Sequence, residues 1–347
     1  MNKLVFILIF SAIMILPHSV LANQQERIDS VAELDKKVNS IESFIIRHKS
    51  IIDRLPRISG YMRIGYEYDD NSSNFFVKNA RIDVNGTFLK KFDYRLCVDF
   101  VNPKILEARI RYNLFNELRF CIGQFKIPFS LGNTYSHIAE ECISYPLVLS
   151  RLVGYDDVSG MKASGRDIGA SIYGGFFKTR KGFNMIEYAV GVFNGNGMNL
   201  NDNNKSKDLS GRLTLQPAEG LKISGSYYWG EYGVDYSKRT RYCVGASYSG
   251  RYVNARGEYI AGTTGTINSD GCYVMIEGKI TAKLKPVFRY DLFTEDKAIG
   301  LNQSNYTAGI SYRPFKYLRI QCNYVRQTYS EINPSSNIYQ LMLTGIF

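Results

Sequence analysis

Three arginines sit close together at a spacing that places them on one side of a pleated chain. Arg109 and Arg111 are two residues apart in Ala108–Tyr112, and Arg119 lies in the next alternating run, Leu118–Phe125. Side chains alternate across a strand, so residues i and i+2 share a face. Guanidinium groups gathered on one wall attract anions. Four more bases belong with them as candidates for an anion path. Lys126 and Arg166 flank a long segment without strand pattern, and Arg151 and Lys162 lie inside it.

Side chains suited to covalent or acid–base catalysis are not arranged for it. After the N-terminal segment, histidine is confined to His48 and His137, and Ser136, His137 and Glu140 form no recognisable triad. No P-loop, zinc spacing or GxSxG is present, so no enzyme activity, catalytic residue, cofactor or metal is expected. Cys97, Cys121, Cys142, Cys243, Cys272 and Cys322 are scattered, with no CxxC. They read as isolated small residues, with a bridge from Cys142 to the strands left open.

From Arg57 to Phe347 the apolar period is two. Met62, Ile64, Tyr66 and Tyr68 alternate with Arg63, Gly65 and Glu67, and the chain ends the same way over Tyr339–Phe347. Counting such runs predicts sixteen strands, starting near residues 57, 76, 91, 106, 117, 166, 183, 207, 221, 238, 251, 271, 284, 303, 317 and 336. Their connections alternate between short turns, such as Phe115–Asn116, and mostly longer polar loops, such as Asn194–Ser206. Aromatics crowd the short turns: Phe88 and Phe92, Phe115, Phe176 and Phe183, Tyr248 and Tyr252, Tyr312 and Tyr317. An even strand number, short turns at one end, long loops at the other and an aromatic girdle predict an all-β, 16-stranded antiparallel transmembrane β-barrel. The third long loop, Lys126–Gly165, contains Tyr145–Tyr155 (YPLVLSRLVGY), too apolar for an ordinary surface loop. It is expected to fold inward and narrow the barrel.

Residues 1–22 read as a signal peptide: Lys3, the apolar run Leu4–Leu16, then Val20-Leu21-Ala22 before cleavage. An uncleaved anchor is the alternative, disfavoured because the run is short for a span. Residues 23–56 carry Val31, Leu34, Val38, Ile41, Ile45 and Ile52 at spacings of three and four, interrupted by a polar gap at His48. That narrow stripe predicts a short coiled-coil helix, with a single helix packed on the barrel as the alternative. The barrel domain is 57–347.

Three motifs resemble the phosphate-selective porin O and P family. They are Gly123–Leu131 (GQFKIPFSL) at the mouth of the long loop, Gly165–Gly169 (GRDIG) at its exit, and Gly191–Gly197 (GVFNGNG) followed by Gly211-Arg212-Leu213. With the barrel pattern, the resemblance covers most of residues 57–347. It implies a trimeric outer-membrane channel, constricted by its third loop, whose inward Arg and Lys attract phosphate or polyphosphate. No nucleic-acid partner is expected. The C-terminal Phe347 resembles the signal read by the barrel-assembly machinery, and outer-membrane lipid is the surrounding partner.

The wall charges agree in sign. Inward bases outnumber inward acids, and the formal net charge is +11. Some pairs along a strand, Arg81/Asp83, Arg95/Asp99, Arg256/Glu258 and Arg289/Asp291, read as structural ladders. The long loop opposes this trend, with Glu140, Glu141, Asp156 and Asp157 against Arg151 and Lys162. Acids facing an arginine wall would give a transverse field, suited to general diffusion of small polar solutes. Both readings stay open, as does the less favoured outer-membrane enzyme or surface receptor.

Overall fold

The structure, a computed structural model, describes residues 33–45, 55–101, 103–136, 138–330 and 335–347. The cleavage site at Ala22, the seam residues Val31 and Ile52, and both His48 and His137 lie outside the described residues. The chain divides into two units, Met1–Leu55 and Pro56–Phe347. In the first, residues 33–45 are helical. Leu34, Val38 and Ile41 form an exposed apolar stripe, and Lys37 pairs with Glu33 one turn away at 2.8 Å.

The second unit is a closed antiparallel barrel of sixteen strands. They are β1 (Arg57–Tyr68), β2 (Ser73–Phe88), β3 (Phe92–Asp99), β4 (Lys104–Phe115), β5 (Leu118–Lys126), β6 (Arg166–Lys178), β7 (Asn184–Phe193) and β8 (Asp208–Ala218). There follow β9 (Leu221–Tyr232), β10 (Ser237–Ser249), β11 (Val253–Thr264), β12 (Ile267–Gly278), β13 (Leu284–Thr294), β14 (Asn302–Phe315), β15 (Leu318–Tyr329) and β16 (Ser336–Ile346). Each strand pairs with its sequence neighbours, and β1 closes on β16 from Tyr61↔Ile346 to Tyr68↔Tyr339. The main-chain groups of Gly60 and Phe347 exchange two hydrogen bonds of 2.9 Å at the seam. The largest shift from the expected starts is at β12, which begins at Ile267 because only residues 265–266 separate it from β11.

Burial is inverted relative to a water-soluble barrel. Ile110, Ile122, Val190, Leu213, Val244 and Leu343 are exposed on the outer face, while Arg63, Thr214, Ser224, Gln321 and Thr344 are buried on the inner one. Such a sheet is stable with lipid outside, because closure satisfies the strand backbone without water. At the short-turn end the girdle is a continuous stack: Phe88 on Phe92 (5.2 Å between centroids), Phe92 on Tyr112 (4.7 Å) and Tyr112 on Phe120 (6.3 Å).

The wall ion pairs cross strands more than they follow them. Arg81 pairs with Asp99 (2.7 Å), its register partner, and Arg95 pairs with Asp83 and with Glu107 (3.0 Å). Arg81 meets the side chain directly opposite it, whereas Arg95 reaches diagonal neighbours on β2 and β4, so the pairs Arg81/Asp83 and Arg95/Asp99 give way to cross-strand ones. Arg289 and Asp291 do pair along their strand, at 2.7 Å. All six cysteines are free thiols, so Cys142 makes no bridge to the wall.

Candidate functional site

The candidate site is the lumen, and residues 127–165 shape it. Their two ends are joined just beyond β5 and β6. Ile127 N–H donates to Gly165 O (3.0 Å), and the Asn133 side-chain amide, fully buried, donates to both Ile127 O (3.0 Å) and Gly165 O (2.9 Å). Gly165 is left-handed (φ +68°), and a Cβ there would lie 2.0 Å from Asn133 Oδ1. Gly165→Ala is therefore expected to cost more than the roughly 1 kcal/mol of a left-handed alanine, because Asn133 must also move. A lower unfolding temperature of the detergent-solubilised barrel, with increased protease cleavage within the loop, checks this.

Beyond this knot the loop lies against the inner wall. Glu258 on β11 accepts from Leu131 N–H (2.6 Å), Gly132 N–H (2.9 Å), Ser130 Oγ (2.9 Å), Tyr273 OH (2.9 Å) and the Cys243 thiol (3.3 Å). It does not pair with Arg256. That guanidinium holds Glu140 (3.0 Å) and Glu141 (2.9 Å) and covers the Tyr135 ring at 3.9 Å. Burial pushes the Glu141 carboxyl up, opposed by Arg256 and assisted by Glu140.

Farther along, wall side chains hold the loop by its carbonyls. Arg319 reaches Ile138 O (2.8 Å) and Glu140 O (2.9 Å), Lys78 reaches Ile143 O (2.7 Å), and Arg289 reaches Ser144 O (2.7 Å). Asp291 accepts the first amide of the short helix Leu147–Leu152, from Leu147 at 3.0 Å. The apolar run found in the sequence forms a core here. Phe129, Cys142, Val148, Leu149 and Leu152 pack on Tyr228, Ile260, Tyr273, Met275 and Phe293 of the wall. Each such large side chain stabilises by roughly 1.5–3 kcal/mol when buried, which offsets the ordering of the loop. Burial also pushes the Cys142 thiol up to about 11, leaving it little thiolate at neutral pH.

The loop thus occupies the side of the lumen facing β8–β16 and reaches β2 through Lys78. Space remains along β3–β7, in a cavity of about 370 Å³ lined by Arg95, Glu107, Arg109, Arg111, Arg119, Lys126, Tyr173 and Arg212. Four sequence candidates meet there: Arg109, Arg111, Arg119 and Lys126. Arg111 pairs with Asp93 (2.8 Å), and Arg109 reaches Glu107 (3.3 Å) and Asp93 (3.4 Å). Arg119, Lys126 and Arg212 have no carboxylate within ion-pair distance among the described residues. Arg119 donates to Asn116 Oδ1 (2.8 Å), Lys126 to Tyr135 O (2.6 Å) and Arg212 to Ser130 O (3.1 Å).

The other candidates lie apart. Arg166 is buried and adjoins the cavity through Glu107 (3.5 Å). Arg151 is drawn to the long-loop end by Glu295 (2.8 Å), and Lys162 projects outward near Asp156 (3.8 Å). The loop acids do not face the arginine wall either. Glu140 and Glu141 turn to Arg256 on the opposite side, Asp157 to Arg241 (3.5 Å), and Asp156 to Arg151 (3.3 Å), so each loop acid pairs with a base other than Arg109, Arg111 and Arg119. In the sequence Arg212 carried two signals, its inward parity on β8 and its place in Gly211-Arg212-Leu213, but neither set it beside the other bases. Its adjacency to Arg119 and Lys126 depends on barrel closure and on the path of the loop.

The family model for phosphate-selective porin O and P matches residues 59–242. No curated protein matches the chain. Among solved structures, an anion-selective porin from Comamonas acidovorans is 12% identical with a TM-score of 0.67, covering 84% of this chain and 99% of that one. The trimer form of OmpT, an outer membrane protein of Vibrio cholerae, is 11% identical (TM-score 0.61, 84% and 99% covered). The outer membrane channel DcaP of Acinetobacter baumannii is 15% identical (TM-score 0.58, 84% and 97% covered). At these identities the likeness is one of fold.

Proposed function

The chain belongs to the phosphate-selective porin O and P family, and from that premise we propose that this outer-membrane porin passes small anions, phosphate or polyphosphate among them. The observation that carries the reading is the cavity beside the loop. Its bases, Arg95, Arg109, Arg111, Arg119, Lys126 and Arg212, exceed the acids that line or back it, Glu107, Glu187, Asp83 and Asp93. A narrow, partly desolvated passage with net positive charge concentrates anions and excludes cations. General diffusion without anion preference, the second reading, rested on the loop acids, and these pair with Arg256, Arg241 and Arg151. The test is the reversal potential in a KCl gradient across a planar bilayer. A value of cation sign, or near zero at low salt, would refute anion preference.

The mature protein is proposed to be a homotrimer, assisted by the Val31–Ile52 seam, of which Leu34, Val38, Ile41 and Ile45 lie among the described residues. The exposed apolar stripe on helix 33–45 and the trimer form of OmpT support this. Deleting residues 24–52 is expected to weaken the trimer in mild detergent, read as its dissociation temperature. An unchanged temperature would remove the seam from assembly, and a monomeric full-length protein would remove the trimer. Export by residues 1–22 is proposed with cleavage after Ala22. The intact mass of the folded protein should therefore lack Met1–Ala22. Phe347, half-exposed at the barrel seam, is proposed as the contact for the assembly machinery.

A further inference from the structure

A second loop is tied to the inner wall beside the first one. The β7–β8 connection is fixed at Gly195, whose N–H donates to Asp167 (2.6 Å) and whose carbonyl accepts from Arg239 (2.6 Å). It is fixed again at Asn199, whose N–H donates to Gln124 Oε1 (2.6 Å) and whose side chain donates to Ile105 O (2.9 Å). Between these anchors the backbone is left-handed at Gly195, Gly197 and Asn199. A Cβ on Gly197 would stand 2.8 Å from Ala163 Cβ, so the approach of the two loops depends on glycine there.

This fold tips Met198 inward. It is 7% exposed and packs in one apolar cluster with Cys97 and Leu106 of the wall and with Met161 and Ala163 at the end of the first loop. On the long-loop side lies a cavity of about 380 Å³ bordered by Lys162, Ala163, Asn196, Met198, Asn203 and Tyr232. On the short-turn side lies the arginine cavity. Leu106 adjoins Glu107 in β4, and Cys97 lies two residues beyond Arg95 in β3, so the cluster stands at the outer end of that cavity.

We infer that Met198 is an apolar gate in the permeation path, dividing an outer vestibule from the arginine cavity. The inference rests on the pore reading and adds where the path is narrowest and which side chain sets its width. A dry apolar constriction resists ions more than a polar one of equal bore, because an ion there loses its water without replacement. Methionine suits the role. Its unbranched side chain has three rotatable bonds, so it can swing aside while the anchors at Gly195 and Asn199 hold.

The experiment is single-channel conductance of the full-length protein in planar bilayers, with Met198→Ala and the near-isosteric Met198→Gln. Both are expected to raise conductance about twofold or more, the first by widening and the second by wetting the constriction. Met198→Trp is expected to lower it. None touches an arginine, so the reversal potential should stay at its wild-type value. Conductance therefore reads the gate and reversal potential reads anion preference, and either can fail without the other. Should Met198→Ala not fold, Met198→Gln keeps the volume and carries the test. Wild-type conductance in Met198→Gln, in protein that shows the heat-modifiable mobility of a folded barrel, overturns the inference.

Discussion

Changing Arg109, Arg111 and Arg119 together to Gln is expected to lower the anion-to-cation permeability ratio about sevenfold per kT of lumen potential removed, because anion and cation concentrations respond in opposite directions. Every arginine lost takes one positive charge from the cavity, whether or not a carboxylate stands beside it. Loss of Arg109 and Arg111 also leaves Asp93 and Glu107 without those partners. The reversal potential thus reads net charge, and all three arginines contribute.

Block by phosphate reads something else, the N–H donors available to an oxyanion. Arg111 and Arg109 spend donors on carboxylates, whereas Arg119 and Arg212 each give one to a neutral oxygen. Arg119→Gln and Arg212→Gln should therefore weaken phosphate block more than Arg111→Gln does. Asp93→Asn should move the reversal potential the other way, toward stronger anion preference. Arg313→Gln, at an exposed site beyond the cavity lining, should have less effect. All these shifts should shrink at 1 M salt, where the screening length is about 3 Å. A triple variant with the wild-type reversal potential at low salt would make this arginine group structural.

The second large effect concerns Glu258. Glu258→Ala removes the acceptor of two loop amides, a serine hydroxyl, a tyrosine hydroxyl and a thiol at once. A buried donor left without a partner costs about 1–3 kcal/mol, so losing several should release the mouth of the loop from the β11 wall. The expected results are a severalfold larger, noisier conductance and new protease cleavage between residues 130 and 160. Glu258→Gln should lie between Ala and wild type, since its amide keeps one acceptor oxygen but turns a donor toward the loop. A full-size loop after protease treatment, with unchanged conductance in Glu258→Ala, would mean that the apolar core around Leu149 holds the loop by itself.

Much of the architecture was legible residue by residue. Alternation is a local property, so Arg63, Arg109 and Arg212 could be assigned inward, and Ile64, Ile110 and Leu213 outward, without knowing any neighbour. The same logic placed the sixteen strands, the short-turn girdle and the apolar loop segment Tyr145–Tyr155. It did not extend to partners. Arg81 meets Asp99 rather than Asp83 because strand register decides which side chains stand opposite. Arg256 turns to Glu140 and Glu141 because a loop more than one hundred residues away in sequence is laid against it.

The residues that define the passage show the same division. Lys126 and the arginines near it were visible as a basic group, but Arg151 and Lys162 were not separable from them by sequence, since both lie in the same loop. Glu295 and Asp156 draw those two to the long-loop end. Met198 carried no signal in the polar stretch Asn194–Ser206, where a methionine reads as an isolated apolar residue. By itself the sequence determined the barrel, its polar interior and the sign of its charge, because these follow from side-chain parity and composition. Only the tertiary structure decided which charges are neutralised, where the lumen stays open and what stands across it. Those depend on contacts between segments distant in the chain, and no local period encodes them.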